Sequence, residues 1–252
     1  MMKLTKIKQA AAQSGVWQQL LTAALKVPGV TVNREAFLRN ALGAVCSADE
    51  LERVLSGRPA DVLPTTTIDV LARQTAMRHV RRVTLLSAAV GLPGGWMALL
   101  GAVPADLAQY YCQCLMVAQK LAYLYGFPSL QGGVGDDGRL ARQLTVFVGV
   151  MMGVAKANEL LNSTARLLAE RATRQMAEQV AVRGAVMPVL ESIAASLGMK
   201  ISRQRLANMA SKALPVAGAV LSGGLSYVTF RDGTERLRRV LAAVAERQQK
   251  SQ

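Results

Sequence analysis

Histidine occurs once and cysteine three times in the 252 residues, and aromatic side chains make up only 4% of the chain. The lone histidine, His79, leaves little room for a metal centre or a catalytic triad, which needs a second nitrogen ligand or a placed partner for the base. Cys46, Cys112 and Cys114 are too few and too odd in number for a disulfide framework, and they suit a reducing compartment. Cys112 and Cys114 stand two apart on an expected helix, so their side chains diverge and do not chelate one ion. The shortage of aromatics weighs against nucleic acid, whose binders carry stacking side chains or a dense basic helix. No segment alternates apolar and polar residues strongly enough to mark a strand–turn–strand unit. The basic start, MMKLTKIKQAAAQSGVWQQLL, has neither the continuous apolar core nor the cleavage site of a secretory signal, so cytoplasmic synthesis is expected. No cofactor or metal is expected, and catalytic residues are not assigned.

What is present is a basic, apolar, helix-favouring composition. Hydrophobic residues are 51% of the chain, and Lys plus Arg number 30 against 16 for Asp plus Glu, a formal charge of +14. The apolar share is mostly Ala, Val, Leu and Met, which favour helices over strands. The net charge is +6 over residues 1–82, +1 over 83–157 and +7 over 158–252. A nearly neutral apolar middle between basic flanks fits an anionic membrane surface.

Residues 4–25 place Ile7, Trp17, Leu20, Leu21 and Ala24 on one helical face, which either packs on the core or lies on a membrane. Asn33 is placed to cap a helix from Arg34 to about Val45, with Glu35 in the first turn, and a short helix is expected over Ala48–Leu55. Thr66 or Thr67 is expected to cap a helix that carries Ile68, Leu71, Ala72 and Thr75 on one side and ends in the basic cluster MRHVRR. In that cluster His79 is expected to be exposed or half-buried.

Residues 83–105 then carry no charge, a run of 23 that is long enough for a bilayer but divided by GLPGGW and a second proline. The economical reading is a break over Gly91–Gly95, a short helix at Trp96–Gly101 and a new helix from about Pro104 to Tyr125. Gln143–Ala155 is charge-free and is expected to run on into a long amphipathic helix. Ser202 is expected to cap a further helix through a hydrophobic staple of Ile201 on Leu206. Ala213–Phe230, 18 residues without charge, abuts a basic amphipathic helix carrying Leu237, Val240, Leu241 and Val244. The fold class is therefore all-α. It is read as a single helical bundle-like domain of roughly eight to ten helices with Gly/Pro-broken apolar helical hairpins. Residues 1–64 supply N-terminal amphipathic helices, and residues 65–252 the main helical domain packed with them.

GVGDDG, Gly133–Gly138, matches a dinucleotide fingerprint only formally. A helix rather than a strand precedes it, and its two acids oppose a phosphate, so it reads as a turn in which Asp136 or Asp137 caps the next helix. Asp106, Lys156 and Asn158 adjoin apolar stretches and are candidates for buried polar groups that meet inside the bundle. Arg78, Arg81 and Arg82, and Arg231, Arg236, Arg238 and Arg239, flank the two apolar stretches and are candidate contacts to an anionic surface.

Taken together, GLPGGWMALLGAVPADLAQYYCQCLMVAQKLAYLYGF and, about ninety residues on, KALPVAGAVLSGGLSYVTFRDGTERLRRVL resemble the EcsC family of bacterial proteins. FVGVMMGVAKANELL and MPVLESIAASLGMKISRQRLANMASKALPVAGAVLSGG are similar to members as well. The resemblance spans about Thr65 to Val244. It implies an α-helical protein that is cytoplasmic or membrane-associated, and it carries no catalytic motif. The family takes its name from a gene beside those of an ABC transporter, which implies a membrane-linked role. The leading expectation is a non-enzymatic, peripheral membrane or lipid-interacting protein at the inner face of the membrane. A module for a hydrophobic ligand or protein partner is the alternative, an enzyme on a hydrophobic substrate is a further one, and nucleic acid is not expected.

Overall fold

Asn33 begins the first fully bounded helix as its sequence position requires. In the computed structural model its side chain accepts the Ala36 N–H at 2.9 Å, and the helix runs Arg34–Leu42. The structure describes residues 17–89, 105–130, 137–169, 189, 191–193 and 215–250. Labelled in chain order, α1 is the helical stretch 17–25, α2 is Arg34–Leu42 and α3 is Ala48–Ser56. A 3-10 turn at Pro59–Asp61 leads to α4, Thr65–Ala89. There follow α5, Ala105–Leu124, α6, Asp137–Met151, α7, Ala155–Ala169, and α8, Pro215–Lys250. The architecture is an all-α helical bundle with no strand among the described residues. No helix among them is long and apolar enough to cross a membrane.

α2 ends at Leu42, earlier than expected, and Ser47 makes a full capping box with Glu50 that starts α3. α1 settles the choice left open for its face. Trp17, Leu20, Leu21 and Ala24 are buried, and Trp17 Nε1–H donates to Thr145 Oγ1 of α6 at 3.1 Å. This part of the N-terminal segment is core. α5 is buried almost all round from Tyr111 to Tyr125 and forms the centre of the bundle, with α2, α4, α6 and α8 against it. α8 packs on α4, α5, α6 and α7. The buried apolar side chains, from Trp17 to Ala245, form one cluster.

Two expectations are corrected. The charge-free stretch after Gln143 does not continue as one helix, because Gly153 adopts φ 80° and separates α6 from α7. The turn is closed by Gly153 N–H to Val150 O and Val154 N–H to Gly149 O, the pairing of a left-handed helix end. Conversely, the second glycine-rich apolar stretch is unbroken. α8 starts with Pro215 at its first position and runs for 36 residues through Gly223 and Gly224. Glycine weakens a helix by about 1 kcal/mol but, unlike proline, removes no donor, so packing downstream can hold it helical. α4 begins at Thr65, one to two residues before the expected caps, with the Pro64 carbonyl accepting its first bonds. The expected break at Gly91–Gly95, the helix at Trp96–Gly101, most of the GVGDDG turn and the Ser202 cap lie outside the described residues.

Candidate functional site

The two arginine sets differ in how they are held. On α4, Arg78, Arg81 and Arg82 are exposed, and none has an ion pair among the described residues. Val70 and Met77, also exposed, lie on the same helix. On α8 three of the four candidates, Arg236, Arg238 and Arg239, are held by acceptors within the protein, and one of them, Arg238, is buried. Arg238 is 6% exposed and pairs with Asp69 of α4 and with Glu235, so its expected role as a surface contact is corrected. The one-residue rotation of about 100° along the helix turns Arg238 inward and leaves Arg239 outward. Arg239 is exposed but pairs with Glu235, and Arg236 donates to the Met151 carbonyl at 2.6 Å, capping the end of α6. Arg231 is exposed.

Asp69 is the centre of an internal network. It accepts from Tyr125 Oη–H at 2.8 Å and from Arg73 Nε at 3.0 Å, and it pairs with Arg238. Burial raises the Asp69 carboxyl, but the bonds from Tyr125 and Arg73 and the charge of Arg238 outweigh it and hold it below its ordinary value. Hydrogen bonds from Arg238 push Glu235 down to about 2 against partial burial. This network ties α4, α5 and α8 together and is structural.

A second polar cluster lies between α4 and α5. His79 continues the inward face of Ile68, Ala72 and Thr75 and is 2% exposed, which corrects the expectation that it is exposed or half-buried. Its Nδ1 is 2.8 Å from Gln113 Oε1, and its Nε2 is 3.1 Å from Lys120 Nζ. The amide oxygen only accepts, so Nδ1 carries the proton and Nε2 accepts from the lysine ammonium. Burial, then the Lys120 charge, pushes the imidazole down to about 4. Lys120 is half-buried, with its ammonium 5.8 Å from the Phe37 ring centroid. Burial, then the charges of Arg82 and Arg78, lower it as well. Thus Lys120, Arg78 and Arg82 repel one another around a neutral imidazole, with no carboxylate paired to any of them among the described residues.

The spacing 75, 79 along α4 was a legible sign that His79 faces in. Lys120 had a signal too, as the single charged residue between Asp106 and Asp136. Only their meeting is invisible in the sequence. The expected buried set fares differently. Lys156 is exposed in the first turn of α7, so it is no buried partner for Asp106. Asp106 is the second residue of α5, and its side chain lies outside the described ones. Asn158 Oδ1 is buried and accepts no hydrogen bond among the described residues. Cys112 and Cys114 are buried free thiols, and burial pushes Cys112 up to about 11, which makes it inert. No His, Cys, Asp and Glu cluster among the described residues could hold a metal ion. No family model, no curated protein and no solved structure matches the chain.

Proposed function

We propose that the protein is a non-enzymatic, EcsC-like helical protein that associates peripherally with an anionic membrane surface on the cytoplasmic side. The single observation that carries this reading is the exposed basic set Arg78, Arg81 and Arg82 on α4, which pairs with no carboxylate among the described residues. In the sequence it stands immediately before the charge-free residues 83–105. Exposed Val70 and Met77 on the same helix add apolar surface. Each arginine near an anionic surface contributes about 1 kcal/mol, so three supply roughly a hundredfold in affinity.

Flotation with phosphatidylcholine vesicles, with and without phosphatidylglycerol, tests it. At low salt the protein floats with the anionic vesicles only. The triple variant Arg78→Gln, Arg81→Gln, Arg82→Gln loses most of that binding while keeping its unfolding midpoint. No flotation of the wild-type protein at low salt would sink the reading.

A further inference from the structure

Four cationic side chains among the described residues are not exposed: Arg34, Arg58, Lys120 and Arg238. Three of them are closed by acceptors. Arg34 donates to the Leu55, Gly57 and Phe127 carbonyls, Arg58 pairs with Asp61, and Arg238 pairs with Asp69 and Glu235. Lys120 is the exception. Among the described residues its neighbours are a neutral imidazole nitrogen and the face of Phe37, and the charges that act on it, Arg82 and Arg78, are of its own sign. Withdrawing an ammonium from water and setting it beside two guanidinium groups opposes folding unless an anion is present. The remaining polar partners are already spent, because His79 Nδ1 is committed to Gln113.

We infer that Lys120, Arg78, Arg82 and the Nε2 edge of His79 form a binding site for a phosphate monoester group. Guanidinium forks match phosphate oxygens, and a monoester carries close to two negative charges and three acceptor oxygens. The anion would sit where the three cations now repel. Lys120 would turn its ammonium from His79 Nε2 to a phosphate oxygen. The imidazole could then take a proton on Nε2 and donate as well. Among the described residues, the groups that act on His79 are Arg78 and Arg82 of its own helix and Gln113 and Lys120 of α5. All the charged ones are cations, so an added anion raises its proton affinity. The site rests on this cluster. That the monoester is a lipid head group rests on the membrane reading.

The chain has one histidine, so a single imidazole resonance reports the site without assignment ambiguity. The probe is inorganic phosphate, titrated into the full chain at constant ionic strength with chloride as the reference. Phosphate is expected to raise the apparent pKa of His79 from about 4 toward the ordinary histidine range. The double variant Arg78→Gln, Arg82→Gln, changed only at exposed positions, should bind phosphate at least about tenfold more weakly. Lys120→Met, which keeps an unbranched apolar side chain but no charge, should do the same. An unchanged His79 titration in phosphate, or equal affinity in the double variant, overturns the site.

Flotation with phosphatidic acid against phosphatidylglycerol at equal surface charge separates the sources. Preference for phosphatidic acid that inorganic phosphate competes away supports the site and a lipid ligand. A phosphate-dependent His79 shift with no vesicle binding supports the site, assigns it to a soluble ester and ends the membrane reading. Vesicle binding with a His79 titration indifferent to both phosphate and phosphatidic acid keeps the membrane reading and ends the site.

Discussion

His79 is buried neutral, and that couples folding to pH. Its proton affinity falls from the ordinary 6.5 to about 4 on folding, chiefly through burial. Between those values the unfolded chain binds the proton and the folded one does not. The stabilisation is therefore complete above about pH 6.5 and is lost as pH falls toward 4. The full displacement corresponds to about 3 kcal/mol. Urea unfolding at a series of pH values should show stability falling through this window, and His79→Gln should flatten the fall. At neutral pH Asp69 contributes through its contacts. Asp69→Asn leaves Arg238 with Glu235 alone and deprives Tyr125 of a charged acceptor. The expected cost is about 1–3 kcal/mol, read as a lower denaturation midpoint at neutral pH.

At the scale of elements, two glycines four residues apart play opposite parts. Gly153 turns the chain between α6 and α7, and the Arg236 guanidinium lies against it, 3.2 Å from where a Cβ would stand. Gly149 stays inside α6, and there a methyl group would come within 2.6 Å of Val189 Cγ1 and 2.8 Å of Ala157 Cβ. Gly149 is thus required for the close approach of α6 to α7 and to the segment around Val189. Gly149→Ala gains about 1 kcal/mol of helix propensity but overpacks the contact by about 1–3 kcal/mol. A net loss of thermal stability is expected, and a more stable variant would show that the contact gives way.

For the molecule as a whole, the excess of positive charge is distributed by use. Arg238, Arg58 and Arg34 are absorbed into the bundle, whereas Arg78, Arg81 and Arg82 face outward from α4. If that face meets an anionic membrane, binding must weaken with salt, because screening shortens to about 8 Å at physiological ionic strength. A flotation series over rising salt should show a steep loss for the wild-type protein and a shallow one for the triple glutamine variant.

The sequence by itself determined the helices and many of their ends, because those depend on neighbours along the chain. Asn33 caps α2, Pro215 opens α8, and Ile68, Ala72 and Thr75 mark the inner face of α4. What only the tertiary structure decided is which of several equivalent local signals take effect. Gly153 breaks a helix while Gly223 and Gly224 do not, since a glycine permits a turn without imposing one. Of the adjacent Arg238 and Arg239, one is buried and one is exposed, since the register of α8 against α4 sets their directions. His79 and Lys120 lie 41 residues apart in the chain, and only the packing of α4 on α5 brings their nitrogens to 3.1 Å. Contacts across such a separation depend on how helices pack, which local residue spacing does not encode.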